Sequence, residues 1–118
     1  MAVRHYKELI VWQRGIDLVV ASYKCTQRFP THERFSLTQQ LRRAAVSIPS
    51  NIAEGQGRFH RAEFLHHIAF ARGSLQELET LLVIAARLGY VTAESLEEIW
   101  KLCEEVGRLL AGLRRALA

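Results

Sequence analysis

The sequence lacks the long apolar runs that a membrane-spanning segment requires. Apolar residues make up 49% of the chain, but charged side chains interrupt them throughout. Residues 1–7 also lack the apolar stretch of a signal peptide. We therefore expect a cytoplasmic protein with no membrane partner, and enough apolar side chains for a single domain over residues 1–118.

Cysteine is scarce, and its spacing excludes the common cysteine motifs. Cys25 and Cys103 are the two cysteines of the chain, and no C-x-x-C pair is present. Both fall inside helical patterns, which favours two buried free thiols in a reducing compartment. A disulfide or a reactive thiol is the alternative.

Strand signals, flexible linkers, low-complexity tracts and internal repeats are also missing. Apolar residues instead recur at steps of three and four, which is typical of amphipathic helices. The pattern predicts helices over residues 7–28, 32–54 and 60–88, and a fourth that begins after a cap at Thr92. Short connections between them predict an all-α, antiparallel (up-down-up-down) four-helix bundle.

Apolar stripes identify the side of each helix that we expect to be buried. Helix three has a second stripe beside its main one, which indicates contact with another molecule as well as with its own bundle. The predicted stripes are Leu9, Trp12, Ile16, Val19 and Tyr23 in helix one; Leu41, Ala44, Ala45, Ile48 and Ile52 in helix two; Phe64, Ile68, Ala71, Leu75, Leu78, Leu82 and Ala85, then Phe70, Glu77, Leu81, Ile84 and Leu88, in helix three; and Leu96, Ile99, Cys103, Val106, Leu110, Leu113 and Leu117 in helix four.

Helix two contains a proline, around which we expect a kink or a one-turn break. Pro49 cannot donate a backbone hydrogen bond, and its ring crowds the preceding turn. Asn51 and Glu54 have the spacing of a capping box that would restart the helix. Small residues around Pro49 allow a neighbouring helix to approach closely. Gly55 and Gly57 predict the turn that follows.

Other residues predict where helices begin and end. Thr31 is the expected N-cap of helix two, and Gly89 has the position of a C′ residue after helix three.

Positive charge is concentrated in the middle of the chain. Residues 34–72 contain six arginines, two glutamates and no lysine, a net charge of +4 that equals the total for the whole chain. Arginine binds phosphate in a forked geometry, so we expect phosphate contacts from this zone. The candidate nucleic-acid-binding residues are Arg42, Arg43, Arg58 and Arg61. Arg42 and Arg43 point about 100° apart on a helix, which predicts different roles for them.

Arginine is equally suited to internal ion pairs, so a structural reading stays open. Arg72 adjoins the buried stripe of helix three, where an unpaired charge would be costly. We expect it to pair with a carboxylate, although a ligand contact is the alternative. The predicted structural polar network comprises Asn51, Glu54, Arg72 and Glu77. Arg58 and Arg61 are either phosphate contacts or ordinary solvated surface.

Signals for catalysis and for metal binding are weak. Glu63-x-x-His66 is a half-motif of carboxylate-bridged metal sites, but the second copy that such sites need is missing. Ser47 and Ser50 flank the proline, where a role in satisfying backbone groups is sufficient. We therefore expect a non-enzymatic protein without a cofactor or metal.

Blocks of sequence spread over most of the chain resemble the family of 23S rRNA intervening sequence proteins. The two longest are Ser-Ile-Pro-Ser-Asn-Ile-Ala-Glu-Gly at residues 47–55 and Ala-Arg-Gly-Ser-Leu-Gln-Glu at residues 71–77. Shorter ones are Phe29-Pro30, Gly57-Arg58, Glu63-Phe64 and Leu88-Gly-Tyr90. The resemblance implies a four-helix bundle that assembles into a ring-shaped homopentamer. It implies no catalytic residue.

Members of that family include proteins encoded inside insertions in large-subunit rRNA genes, and an accessory protein of diversity-generating reverse transcriptases. The latter's positive ring is associated with nucleic acid. Our leading hypothesis is therefore an oligomeric bundle that binds RNA or DNA through an arginine-rich surface. The alternative is a scaffold for a protein partner, in which the arginines are structural.

Overall fold

Four long helices make up most of the protein in the computed structural model, which describes residues 5–118. They are α1 (Ile10–Thr26), α2 (Leu37–Gly57), α3 (Arg61–Arg87) and α4 (Ala93–Leu117), with short 3₁₀ turns at Tyr6–Glu8 and Thr31–Glu33. No strand occurs in this part of the chain, which confirms the all-α four-helix bundle. None of these helices combines the length and apolar character that a membrane crossing requires. Residues 1–4, on which part of the signal-peptide expectation depends, lie outside the described residues.

Each helix packs against two others. α2 contacts α1 and α3, and α4 contacts the same two helices from the other side. Ser47 of α2 hydrogen-bonds Ser74 of α3, whereas Asn51, further along α2, contacts His67, which is earlier on α3. These two helices therefore run in opposite directions at their junction.

The main apolar stripes of α2, α3 and α4 form the core as predicted. All five stripe residues of α2 are buried, and so are six of the seven in α3, where Phe64 is half-buried. In α4 the five central stripe residues are buried, and the outermost two, Leu96 and Leu117, are half-buried. Unbroken steps of three and four therefore identified the inward faces of these helices.

The buried face of α1 differs from the predicted stripe. Ile16 and Tyr23 are exposed, whereas Ser22 and Thr26 are buried. The Ser22 hydroxyl donates to the Leu18 carbonyl at 2.8 Å, and the Thr26 hydroxyl donates to the Ser22 carbonyl at 2.9 Å. Because the helix backbone satisfies them, these small polar side chains can lie inside the bundle. The complete buried face is Val11, Gly15, Leu18, Ser22 and Thr26.

The start of α2 also differs from the prediction, because Thr31 lies in a 3₁₀ turn instead of capping the helix. α2 begins at Leu37, whose backbone N–H donates to Glu33 at 3.4 Å. The Tyr90 hydroxyl, from the connection between α3 and α4, donates to the same carboxylate at 2.9 Å. The pKa of Glu33 is lowered, and the hydrogen bond from Tyr90 is the largest cause.

The helix continues through Pro49, so the predicted one-turn break is absent. The kink stays a prediction. Asn51 consequently lies inside the helix and does not cap a restarted one. The predicted close approach of a neighbouring helix is confirmed, because a Cβ atom built on Gly15 of α1 would lie 3.4 Å from the Pro49 Cβ.

Gly55 serves helix packing and not the turn for which it was predicted. It is buried within α2, which extends to Gly57. A Cβ atom at this position would lie 2.5 Å from the Cβ of His67 on α3. The reversal comes later, where Phe59 adopts a left-handed backbone conformation with φ of 61°.

The boundary between α3 and α4 confirms two local predictions. Gly89 has a φ of 79°, and its N–H donates to the Ala86 carbonyl while the N–H of Tyr90 donates to Ala85. This is the hydrogen-bond pattern of a Schellman motif. Thr92 caps α4 by accepting a hydrogen bond from the Ser95 N–H at 3.1 Å.

Both cysteines are free thiols, as expected, although only Cys103 is fully buried and Cys25 is half-buried. Burial, assisted by the nearby Glu79 and Glu104, raises the pKa of Cys103 to about 12. Burial also raises the pKa of Cys25. Neither thiol is therefore activated at neutral pH.

Candidate nucleic-acid interface

The polar network around Asn51 has different members from those predicted. Its Nδ2 group donates to the Ser47 carbonyl at 2.8 Å and to the Ser47 hydroxyl at 3.0 Å. Its Oδ1 atom lies 3.1 Å from Nδ1 of His67, and the Ser47 hydroxyl lies 2.8 Å from that of Ser74. The network is uncharged at its centre and joins α2 to α3.

The other three predicted network members do not join it. Glu54 instead forms an exposed ion pair with Arg58, with Oε1 and Nη2 at 2.9 Å. Arg72 and Glu77 are exposed, and neither has an ion pair within residues 5–118. Arg72 follows the buried Ala71 by one position, which turns its side chain about 100° away from the core. No buried charge needs compensation there.

Arg42 lies between α1 and α2, half-buried, in a fixed position. Its Nε donates to the Thr26 hydroxyl at 2.8 Å, and its guanidinium carbon lies 4.4 Å from the centroid of the Tyr23 ring. The aromatic face and the hydroxyl orient the guanidinium without neutralising its charge. Arg42 therefore keeps its positive charge and has a defined orientation.

Arg43 is exposed, as the 100° separation from Arg42 predicts, but the two side chains border the same depression. This open groove between α1 and the beginning of α2 is called the arginine groove here. Its residues are Tyr23, Arg34, Phe35, Thr38, Gln39, Arg42, Arg43, Val46 and Ser47.

Three arginines line the arginine groove, and no carboxylate does. None of the three has an ion pair with any of the described residues. Three positive charges without a carboxylate give the groove a positive potential. Such a potential attracts anions, including phosphate.

Sequence reasoning missed Arg34, Phe35 and Tyr23 as members of this site. Phe35 is 81% exposed, and the Arg34 guanidinium carbon lies 5.4 Å from its ring centroid. Tyr23 belongs to the predicted buried stripe of helix one, so the pattern does not indicate its contact with Arg42. The available signal was Phe35 itself, an aromatic residue just before α2 that matches none of the buried stripes.

Arg58 and Arg61 lie elsewhere, around the connection between α2 and α3. Arg58 borders a shallow depression together with Ala62, Glu63, His66 and His67. Glu54 pairs with Arg58, and Glu63 adds a second carboxylate nearby. Arg61 is exposed and has no ion pair among the described residues. Opposite charges therefore offset part of the positive potential at this end of the bundle.

The geometry gives little support for metal binding or for catalysis by a serine nucleophile. Within residues 5–118, no group of three His, Cys, Asp or Glu side chains could hold a metal ion. The Ser47 hydroxyl contacts Ser74 and Asn51, and the imidazole of His67 reaches only the far side of that amide. A serine nucleophile requires direct contact with a base, which is lacking here.

The fold and this surface define a small, all-α four-helix-bundle protein with a cationic groove. The chain belongs to the 23S rRNA-intervening sequence protein family, whose family model matches residues 7–112. It is similar to the crystal structure of a protein of unknown function from the S23 ribosomal protein family of Bacteroides thetaiotaomicron, with 26% identity and a TM-score of 0.80. That similarity covers 89% of this chain and 98% of the other. A search of curated proteins found no match.

Proposed function

We propose that this protein is a non-enzymatic homo-oligomer that binds RNA or DNA through the phosphates, with the arginine groove as the main contact. The observation that carries the proposal is the convergence of Arg34, Arg42 and Arg43 in one groove without a carboxylate. Family membership agrees with it. Contacts from its arginines to phosphates carry no sequence information, so we propose binding with little sequence preference.

Arg42 is the central residue of the proposed site. Its Nε is engaged by Thr26, but its two Nη groups have no hydrogen-bond partner among the described residues. A guanidinium that is already oriented loses little side-chain entropy when a phosphate binds. Exposed Arg43 and Arg34 border the same opening and supply further positive charge.

Arg61, together with Arg58, is proposed as a second, weaker contact. Arg43 and Arg58 are fifteen positions apart, which corresponds to about 22 Å along a helix. One phosphate cannot reach both sites, but a polynucleotide spans this distance. The pairing of Arg58 with Glu54 makes this contact weaker than the groove.

Self-association completes the proposal, because it repeats a modest charge on every subunit. Phe70, Ile84 and Leu88 are exposed along one side of α3 and belong to its second stripe. A helix that shows large apolar side chains on its outer face is suited to packing against another copy of the chain. We propose this stripe as part of the subunit interface, in a ring that the resemblance implies to be a pentamer.

Exposed apolar residues on α1 favour the second candidate function, a scaffold for a different protein. Ile10, Ile16 and Val20 are exposed on that helix. A pull-down from lysate with nuclease treatment separates the two functions. A partner that is retained after nuclease treatment supports the scaffold, whereas loss of all bound partners supports nucleic-acid binding.

The direct test is nucleic-acid binding over a series of salt concentrations. Replacing Arg43 with Gln should weaken binding of RNA and DNA regardless of sequence. It should also lower the slope of log affinity against log salt by about 0.7–0.9, the contribution of one phosphate contact. Fluorescence anisotropy with labelled oligonucleotides measures both quantities.

Arg14→Gln is the matched control, since it removes the same charge from an exposed arginine outside the groove. Arg14 is paired with Asp17 and Glu105 on the side of α1 that faces α4. Its replacement should leave the salt slope unchanged. Failure of the unaltered protein to bind either nucleic acid at low salt would overturn the proposal, as would equal effects of the two substitutions.

A further inference from the structure

We infer that the arginine groove takes single-stranded nucleic acid in preference to a duplex, with one base stacked on the ring of Phe35. This inference rests on the proposed function and specifies the form of nucleic acid that the same site binds. Two Arg–aromatic pairs carry it, together with the position of Arg42 inside the groove and not on its rim.

Phe35 has the exposure of a stacking platform. Phe35 is 81% exposed and borders the arginine groove. No aromatic ring of the described residues packs against it, and the Arg34 guanidinium lies 5.4 Å from its centroid. A nucleobase placed on this ring would remove apolar surface from water and contact a cation at the same time.

The second pair gives the groove a positively charged floor. Arg42 stacks on Tyr23 with 4.4 Å between the guanidinium carbon and the ring centroid. Arg42 is half-buried, and its Nε donates to the Thr26 hydroxyl of α1 at 2.8 Å. A phosphate must enter the groove to reach it.

A duplex fits this geometry poorly. Arg42 is half-buried beside α1, whereas Arg43 and Arg34 are exposed. A duplex would contact the rim at Arg43 and Arg34, without reaching Arg42. Its bases are also stacked on one another and cannot cover Phe35. A single strand has a flexible backbone and unstacked bases, and it satisfies both contacts.

Phe59 is a second strongly exposed ring, and carboxylates lie near it. It is 89% exposed at the connection between α2 and α3. The neighbouring Arg58 is paired with Glu54, and the adjacent depression contains Glu63. Because carboxylates would repel a phosphate there, no stacking role is assigned to Phe59, and it provides a matched control.

The experiment compares three labelled probes of equal length by fluorescence anisotropy: a short oligothymidylate, its duplex with oligoadenylate, and an abasic strand. We expect the unaltered protein to bind oligothymidylate more tightly than the duplex. Phe35→Ala should weaken oligothymidylate binding by about five- to 150-fold, the range for the loss of one stacked base. It should leave binding of the abasic strand unchanged, since that probe has phosphates and no base.

Two further variants separate stacking from loss of fold. Phe35→Trp should retain the affinity for oligothymidylate, and Phe59→Ala should also leave it unchanged. Equal binding of strand and duplex, with no effect of Phe35→Ala, would overturn this inference while the proposed function stands. Absence of binding to all three probes at low salt would overturn the proposed function itself.

Discussion

At the scale of single residues, neighbouring arginines have different environments. Arg42 lies against Tyr23 and Thr26, whereas Arg43 faces solvent. Helical geometry predicts this difference, because consecutive positions are 100° apart. It does not predict which of the two lies against α1. That depends on the orientation of α1, whose buried face was predicted only in part: Leu9, Trp12 and Val19 pack in or against the core, whereas Ile16 and Tyr23 are exposed. Arg72 shows the same limit, since a one-position offset decides between an internal ion pair and solvent.

Gly55 is the residue whose substitution should be most informative about packing. Replacing it with Ala places a methyl group 2.5 Å from the Cβ of His67, which is closer than van der Waals contact allows. Overpacking of this kind costs about 1–3 kcal/mol. The better helix propensity of Ala offsets up to about 1 kcal/mol. We expect the free energy of unfolding, measured with urea, to fall by up to about 2 kcal/mol.

Gly73 is the matched control for this substitution. It lies inside α3, and nothing comes within 4 Å of a Cβ atom built on it. Gly73→Ala should therefore raise the free energy of unfolding, by up to about 1 kcal/mol. Stabilisation by both substitutions would show that α2 and α3 are not in close contact at Gly55.

At the scale of helices, the regularity of a pattern decides how well it can be interpreted. The stripes of α3 and α4 have no interruption and identified the buried faces. In α1, apolar residues occur on several sides, and the inward face includes Gly15, Ser22 and Thr26. A glycine contact and two hydroxyls bonded to the helix backbone are tertiary features, which apolar periodicity does not report. Apolar periodicity also gives no indication of Glu33, which accepts a hydrogen bond from the first residue of α2.

Hydrogen bonding to Glu33 predicts a pH-dependent contribution to stability. The Tyr90 hydroxyl is the first cause that lowers the pKa of this carboxyl in the folded state, below its ordinary value of 4.5. A lowered pKa stabilises the fold above pH 4.5, and the contribution is lost as the pH falls through the folded-state pKa. Tyr90→Phe should therefore destabilise the protein at pH 7, and the difference from the unaltered protein should shrink in acid.

Urea denaturation at a series of pH values measures this difference. Tyr23→Phe is the control, because it also removes a phenolic hydroxyl but retains the ring that Arg42 contacts. It should give a difference in stability that does not change between pH 7 and pH 3. A Tyr90→Phe effect that is constant over the same range would contradict the assignment to Glu33.

At the scale of the whole molecule, the sequence was sufficient for the architecture but not for the surface. Four helices, the buried core positions of three of them and the caps at Gly89 and Thr92 follow from local rules. The arginine groove combines residues from α1, from the turn before α2 and from α2 itself. Such a surface depends on the rotation of each helix and therefore requires coordinates.

The exposed stripe of α3 predicts how assembly would be disrupted. Ile84→Glu places a charge among Phe70, Leu88 and their proposed partners in another subunit, where it would be desolvated without compensation. Light scattering should give a multiple of 13.5 kDa for the unaltered protein and a monomer for the variant. Circular dichroism should show that the variant keeps its helices.

Gln76→Glu is the control for that experiment. Gln76 is exposed on α3, about 80° around the helix from Ile84, outside the stripe. Its substitution should leave the mass unchanged. A mass of 13.5 kDa for the unaltered protein at micromolar concentration would refute self-association.

Because Cys103 is buried, the reactivity of its thiol depends on opening of the bundle. Cys103 is fully buried in the core of the bundle, and its pKa of about 12 keeps the thiol protonated at neutral pH. A thiol-specific dye consequently reacts with this thiol only while the core is open. The rate of labelling at Cys103 therefore measures how often the folded bundle opens.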